Sequence, residues 1–280
     1  MNADRAFAQV DVFSSRPLLG NPVAVVLDDS GVTTEQMQSF THWTNLSEAT
    51  FVGAPRSPEA DYSVRIFCPG RELPFAGHPT LGTCHAWLEA GGEPRGDVVV
   101  QECGAGLIRI RRGPGYRLSF AAPPRLRSGP LDGSDVDLLV RGLGIQAANV
   151  VGHQWCDNGP GWMVLLLDSS STLRNVRPDP SSIGHLDIGL VAPSDGAEDF
   201  EVRAFFPGNS GMTEDPVTGS LNAAIGQWFR ESGVVASSYS ALQGTALGRH
   251  GVVHVDFDDD DVWVGGECVT VVHGSVTLGH

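Results

Sequence analysis

His78 and Asp215 each stand directly before a proline, in the short runs "GHPTLG" and "EDPVTG", and each run leads into an amphipathic stretch. A histidine and a carboxylate in matching places are suited to moving a proton. Gly77 and Thr80 accompany the first, and Thr218, Gly219 and Ser220 the second. A helix N-terminus exposes unpaired N–H groups and a partial positive charge, so two such ends can hold a carboxylate and stabilise negative charge developing beside it. Glycine at 77, 82 and 219 lets the backbone approach a ligand closely. Plainer uses exist for the same residues. Aspartate is a common helix N-cap, and Thr80, Thr218 and Ser220 can satisfy first-turn amides. Histidine caps poorly, which turns His78 toward function, and Ser220 is the hydroxyl best placed to touch a ligand.

The elements that must position these residues are written twice. "VRIFCPG" at Val64–Gly70 matches "VRAFFPG" at Val202–Gly208, and "HPTLG" from His78 matches "DPVTG" from Asp215. "VAVVLD" ending at Asp28 pairs with "MVLLLD" ending at Asp168, and "QECGAG" from Gln101 with "QGTALG" from Gln243. Four matches in one order, separated by about 137 to 142 residues, indicate a duplicated unit. In each half, period-2 runs such as "AQVDVF" and "YSVRIF" precede one apolar helix, and more strand-like runs follow, among them "DVVVQE", "LIRIRR" and "YRLSF". Pro79 and Pro216 are read as the first helical positions, with "EAGG" and "ESG" as the stops. A further helix is expected over Thr34–Thr44, capped by Thr33.

The fold class is therefore α+β, with two pseudo-symmetric lobes, each a barrel-like mixed sheet around a central helix. The boundaries are 1–120 for the N-terminal lobe and 121–267 for the C-terminal lobe. The strand at about 268–280 crosses back to the first, and the Gly/Pro/Arg-rich stretch Arg111–Pro130 is the linker. The active site is expected in the cleft where the lobes present equivalent edges.

Composition narrows the partners. The chain of 280 residues is 41% hydrophobic and 18% charged, with a net charge of −15, which disfavours nucleic acid and anionic lipid. No stretch reads as a signal peptide or a membrane span, and five scattered cysteines without a CxxC pair read as reduced cytoplasmic thiols. His42, His85 and His153 lack paired ligand spacing, so neither a metal nor a cofactor is expected. "DFDDDD" at Asp256–Asp261 reads as a solvated hairpin turn, since it lacks the glycine and closing glutamate of a calcium loop. Trp162 and Trp228 read as core.

"QVDVFSSRPLLGNPVAVVL", "NLSEATFV", "ELPFAGHPTLG", "EDPVTGS" and "QGTALGRHG", in this order, resemble the PhzF family of phenazine-biosynthesis isomerases over residues 9 to about 251. The resemblance implies a diaminopimelate epimerase-like fold, and it places a catalytic glutamate on Glu48 of "NLSE". His78, Asp215 and Ser220 fall on the family's other site positions. It implies cofactor-independent isomerisation by proton transfer within an unsaturated carboxylate or amino acid, in secondary-metabolite or antibiotic biosynthesis, by a cytoplasmic homodimer. Glu48 would be the base, His78 and Asp215 its catalytic companions, and Gly77, Thr80, Gly219, Ser220 and Asn21 the substrate-binding residues. Side chains near Asn21, Ser14 and Cys156–Gly161 would set specificity. Two readings stay open beside this one: an amino-acid epimerase or racemase that works without thiols, and a non-catalytic ligand-binding or interaction protein. Two-thiol racemisation fits poorly, because neither helix entry carries a cysteine.

Overall fold

Thr33 followed three residues later by Gln36 is a helix-start signal. In the computed structural model of the chain, which describes residues 3–114, 117–208, 211–258 and 261–278, helix α1 (Thr34–Thr44) begins there. Thr33 Oγ1 accepts from the Gln36 amide while the Gln36 side chain accepts from the Thr33 amide. Asn45, in the left-handed region at φ 57°, ends the helix.

The chain falls into two compact units, one of Met1–Ala121 with Gly265–His280 and one of Ala122–Val264. The first contains β1 (Ala3–Val12), β2 (Asn21–Val26), α1, β3 (Ala49–Gly53), β4 (Tyr62–Cys68), β5 (Arg71–Leu73), α2 (Gly77–Glu89), β6 (Val98–Cys103), β7 (Gly106–Arg112) and β8 (Arg117–Ala121). The second contains α3 (Gly133–Leu143), β9 (Val150–Asp157), β10 (Gly161–Leu167), α4 (Ser170–Asn175), α5 (Pro180–Ile183) and β11 (Ile188–Pro193). It continues through β12 (Phe200–Gly208), β13 (Gly211–Asp215), α6 (Gly219–Ser232), β14 (Tyr239–Gln243) and β15 (Gly251–Asp258). Strand β16 (Asp261–Leu278) starts in the second unit and runs on into the first from Gly265.

In the first unit the strands follow the order β1-β2-β3-β4-β6-β7-β8-β16, and β16 pairs back onto β1 from Ala3 opposite Leu278 to Val12 opposite Cys268. Eight strands thus close a barrel, which removes the exposed sheet edges. Helix α2 touches β1, β2, β3, β6 and β8 around that ring, so it fills the interior. Every residue from Gly77 to Ala86 is buried, as a helix surrounded on all sides must be. The two-residue period of β2 serves both faces. Val23 points at α2, whereas Ala24 and Val26 join Met37, Phe40, Phe51 and Phe67 in a separate cluster under α1.

Gly82 sets how closely α2 meets the barrel wall. A Cβ there would lie 2.3 Å from Val23 Cγ1 and 2.9 Å from Val12 Cγ2, both on stiff, buried side chains. Gly82→Ala is therefore expected to lower stability by about 1–3 kcal/mol. A fall in the urea midpoint at unchanged m-value would show this, and an unchanged midpoint would mean that the helix is not seated so tightly.

The second unit reads β16-β15-β14-β12-β11-β10-β9. Among the described residues no pairing joins β9 back to β16, so the expectation of a barrel in both halves is met by closure only in the first. Helix α6 nevertheless touches both β9 and β15, which lie toward opposite ends of the row, so the sheet curls around it. The other face is covered by α3, α4 and α5, whose Leu139, Leu143, Leu173 and Ile183 pack on Leu165, Leu167 and Leu190.

The duplication extends to side-chain contacts. Arg65 makes a two-pronged ion pair with Glu72, and Arg203, the arginine of the matching "VRAFFPG", makes one with Glu214. Gln101 Nε2 donates to Thr80 Oγ1 at 3.0 Å, and Gln243 Nε2 to Thr218 Oγ1 at 2.9 Å.

Two local expectations change, and two others fall partly outside the described residues. The stretch Arg111–Pro130 is partly sheet, ending β7 and forming β8, because its apolar Leu118 and Phe120 are buried in the first unit. Tyr116 of the predicted strand "YRLSF" lies outside the described residues, as do Asp259 and Asp260 of the predicted "DFDDDD" turn. Neither site helix starts at its proline. Helix α2 starts two residues earlier, at Gly77, with Pro79 still in its first turn, and α6 starts later, at Gly219.

Candidate active site

Asn21, Glu48 and His78 are delivered by three different elements of the first unit. Asn21 opens β2. Before it, Gly20 donates its amide to Asp11 Oδ2 at 2.9 Å, and a Cβ on Gly20 would fall 2.1 Å from the Val12 carbonyl oxygen, so only glycine passes here. The β1–β2 connection also holds Phe13 at φ 67° and Leu18 at φ 72°, left-handed conformations that cost bulky residues roughly 1–3 kcal/mol each. Strain of this kind gathers beside functional sites. Glu48 follows the Asn45 stop of α1 and immediately precedes β3, whose Ala49 pairs in parallel with Ala24 of β2. His78 is the second residue of α2.

Folding brings these three together. His78 Nε2 lies 3.3 Å from Glu48 Oε2, close but not aligned as a hydrogen bond, and Asn21 Nδ2 lies 3.4 Å from His78 Nδ1. His78 is 5% exposed. Burial pushes its pKa down to about 3, against a smaller upward pull from a hydrogen bond to the Pro22 backbone. The imidazole is thus neutral near pH 7. A neutral ring carries one proton, so one ring nitrogen donates and the other accepts, and the tautomer decides which of them does each. Glu48 thus meets an uncharged ring at 3.3 Å and not a full positive charge.

Asp215 and Ser220 sit in the second unit, around the start of α6. The N-cap of α6 is Thr218 rather than Asp215, so the capping reading of Asp215 is not what the structure holds. Asp215 ends β13, extended as a residue before proline tends to be, and its Oδ2 accepts from Thr218 Oγ1 at 2.6 Å. Gln243 grips the turn between them. Its Nε2 donates to the Asp215 carbonyl and to Thr218 Oγ1, and its Oε1 accepts from the Thr218 amide and from Asn222. This web keeps Pro216 and Val217 out of the helix and delays its start to Gly219.

Helices α1, α4 and α5 are capped by side chains; α2, α6 and the surface helix α3 are not. At α2 and α6 the first-turn amides therefore lack an N-cap side chain competing for them. Gly77 and Gly219 are the first helical residues of each, and both are buried. Thr80 departs from its expected role as a substrate contact. It is fully buried with its hydroxyl engaged by Gln101, whose Oε1 accepts from Tyr62, so it belongs to a polar network inside the barrel. Ser220 is half-buried. Ser14 closes its own tight turn, its hydroxyl donating to the Arg16 carbonyl.

Sequence reasoning missed four residues here. Gln101 and Gln243 carried a signal, since they begin matching runs of the repeat. Trp162 and Asn158 carried none beyond lying in or beside the Cys156–Gly161 stretch. Trp162 is 3% exposed, as its core reading requires, yet its Nε1 donates to Ser220 Oγ at 3.2 Å. Asn158 Nδ2 donates to the Ser220 carbonyl at 2.8 Å. The thiols stay apart from this chemistry. Burial pushes Cys84 on α2 up to about 12, and Cys68 hydrogen-bonds the Arg71 carbonyl at the end of its strand.

With this geometry in hand, likeness to known proteins becomes decisive. The family described as phenazine biosynthesis-like protein, PhzC-PhzF, matches residues 10–274. The chain belongs to that family. It is 34% identical to "Antisense-enhancing sequence 1" of Schizosaccharomyces pombe, over 97% of this chain and 98% of the relative. It is 30% identical to the trans-2,3-dihydro-3-hydroxyanthranilate isomerase of Pseudomonas chlororaphis, over 96% of this chain and 98% of that one. The crystal structure of a PhzF-family protein from Bacillus anthracis superposes with a TM-score of 0.83 at 22% identity, covering 98% of this chain and 99% of that one, which extends the likeness to the fold. As a catalyst this PhzF-like protein is an isomerase, the activity that recurs in the names of its relatives. No helix among the described residues is long and apolar enough to cross a membrane.

Proposed function

We propose that this PhzF-like isomerase shifts a proton within a cyclic, unsaturated amino acid or related carboxylate, without a cofactor, in the biosynthesis of a specialised metabolite. One observation carries the reading: a carboxylate, Glu48, kept beside a buried, neutral histidine whose other ring nitrogen faces an asparagine. Glu48 takes a proton from a carbon next to the unsaturated system, and the electron pair of that C–H bond delocalises into the conjugated system. The protonated Glu48 then returns the hydrogen at another carbon, so that one double bond moves and nothing is gained or lost. Taken unit by unit, Ser220 and the uncapped amides of α6 are fitted to bind a carboxylate, and the uncapped amides of α2 are fitted to the charge that develops beside Glu48. Asp215, tied to Thr218, supplies a second acceptor for the substrate's polar groups.

The test is solvent exchange. In D2O the protein is expected to place deuterium on a new carbon, with movement of a double bond, in trans-2,3-dihydro-3-hydroxyanthranilate or in another member of a panel of unsaturated cyclic amino acids. Deuterium at the original carbon with inversion and no double-bond movement would turn the reading to an epimerase. Absence of exchange across the panel, together with a co-purifying protein partner, would turn it to a binding protein.

A further inference from the structure

Trp162 is more than core filling. It follows Gly161 at the start of β10, where it pairs with Cys156 of β9, and its amide donates to the Pro160 carbonyl at 2.9 Å. The sheet therefore fixes its backbone whatever its side chain does. From that position the indole Nε1 donates to Ser220 Oγ at 3.2 Å, while Asn158, in the β9–β10 turn, donates to the Ser220 carbonyl at 2.8 Å. An indole N–H can only donate, whereas a hydroxyl can both donate and accept. With its oxygen already taking the indole hydrogen, the Ser220 hydroxyl has its own hydrogen to give.

We infer that Trp162 is a positioning residue that fixes the Ser220 hydroxyl as a hydrogen-bond donor, and that Asn158 holds the backbone carrying it. The start of α6 then presents an oriented donor to an acceptor, and an ionised carboxylate is the strongest acceptor it can meet. This rests on the carboxylate-binding role given to Ser220 above and names what sets the polarity of that contact. Trp162 itself touches no substrate.

Trp162→Phe keeps an aromatic ring in the sheet and removes the indole N–H together with part of the bicycle, so urea midpoints are read beside the kinetics to separate lost packing from the lost contact. Kinetics of deuterium exchange are measured on the panel substrate that the wild type turns over, for Trp162→Phe, Ser220→Ala and the double variant. The expected result is a KM higher by about 10- to 100-fold in Ser220→Ala, the worth of a hydrogen bond to an ionised group, and by roughly 3-fold or more in Trp162→Phe, with kcat nearly unchanged in both. The double variant should be no worse than the weaker single one, because both remove the same contact. In an indole ¹H–¹⁵N spectrum, Ser220→Ala should shift the Trp162 Nε1–H resonance. A KM within about twofold of wild type in Trp162→Phe would overturn the inference, as would fully multiplicative effects in the double variant or an unmoved indole resonance in Ser220→Ala. A wild type inert toward every carboxylate in the panel would overturn the carboxylate reading and this role with it.

Discussion

Glu48→Gln should lower deuterium exchange into the substrate by about 10²- to 10⁴-fold, the usual contribution of a positioned base, while leaving thermal unfolding nearly unchanged. The substitution keeps size and shape and removes only the ability to take a proton. The backbone at this position is independently held, since the Glu48 carbonyl accepts from the Ala24 amide and Ala49 is already paired in the barrel. The side chain is 17% exposed, so an amide there meets no severe desolvation problem. A variant that folds normally and keeps exchange within a few-fold of wild type would remove Glu48 from the mechanism.

His78→Gln carries the second large effect, and it separates catalysis from stability. Losing the imidazole beside Glu48 should cost exchange about 10²-fold, because glutamine cannot reproduce the ring's linked contacts to Asn21 on one side and Glu48 on the other. Stability should change in a pH-dependent way. In the unfolded chain a histidine takes a proton as pH falls through about 6.5, whereas burial keeps His78 neutral down to about 3. Between those values the unfolded state binds more protons, so this histidine makes stability fall as pH falls, by up to roughly 1.4 kcal/mol per pH unit. From pH 6.5 to pH 5 the wild type should therefore lose roughly 2 kcal/mol more than His78→Gln, read as urea midpoints at the two pH values. Parallel losses in the two proteins would mean that His78 is charged in the folded state. His85, also held low by burial, remains in both proteins and cancels in the comparison.

Much of this molecule is legible before folding is considered. The duplication follows from four ordered sequence matches, because a repeated supersecondary unit repeats its period-2 runs and turn residues. Helix α1 and its cap at Thr33 follow from local hydrogen bonding within a few residues. His78, Asp215 and Ser220 stand out from the repeat itself, whereas Glu48, read alone, is an ordinary surface carboxylate and is singled out only by the resemblance to the family.

What sequence could not supply depends on groups far apart in the chain. The start of α6 departs from Pro216 because proline's preference for a first turn is a local tendency, overridden here by Gln243, 25 residues beyond Thr218. The resemblance gives Thr80 to the substrate, and only the folded barrel shows that Gln101 engages its hydroxyl. The run at about 268–280 is expected to cross back to the first lobe, but its register against β1, from Ala3 opposite Leu278 to Val12 opposite Cys268, depends on residues far apart in the chain. The same holds for Trp162. Hydrophobicity places an indole in the core, but only packing decides which neighbour receives its single N–H. Residue types fix what chemistry is available, and tertiary structure fixes which protons and lone pairs are already spoken for.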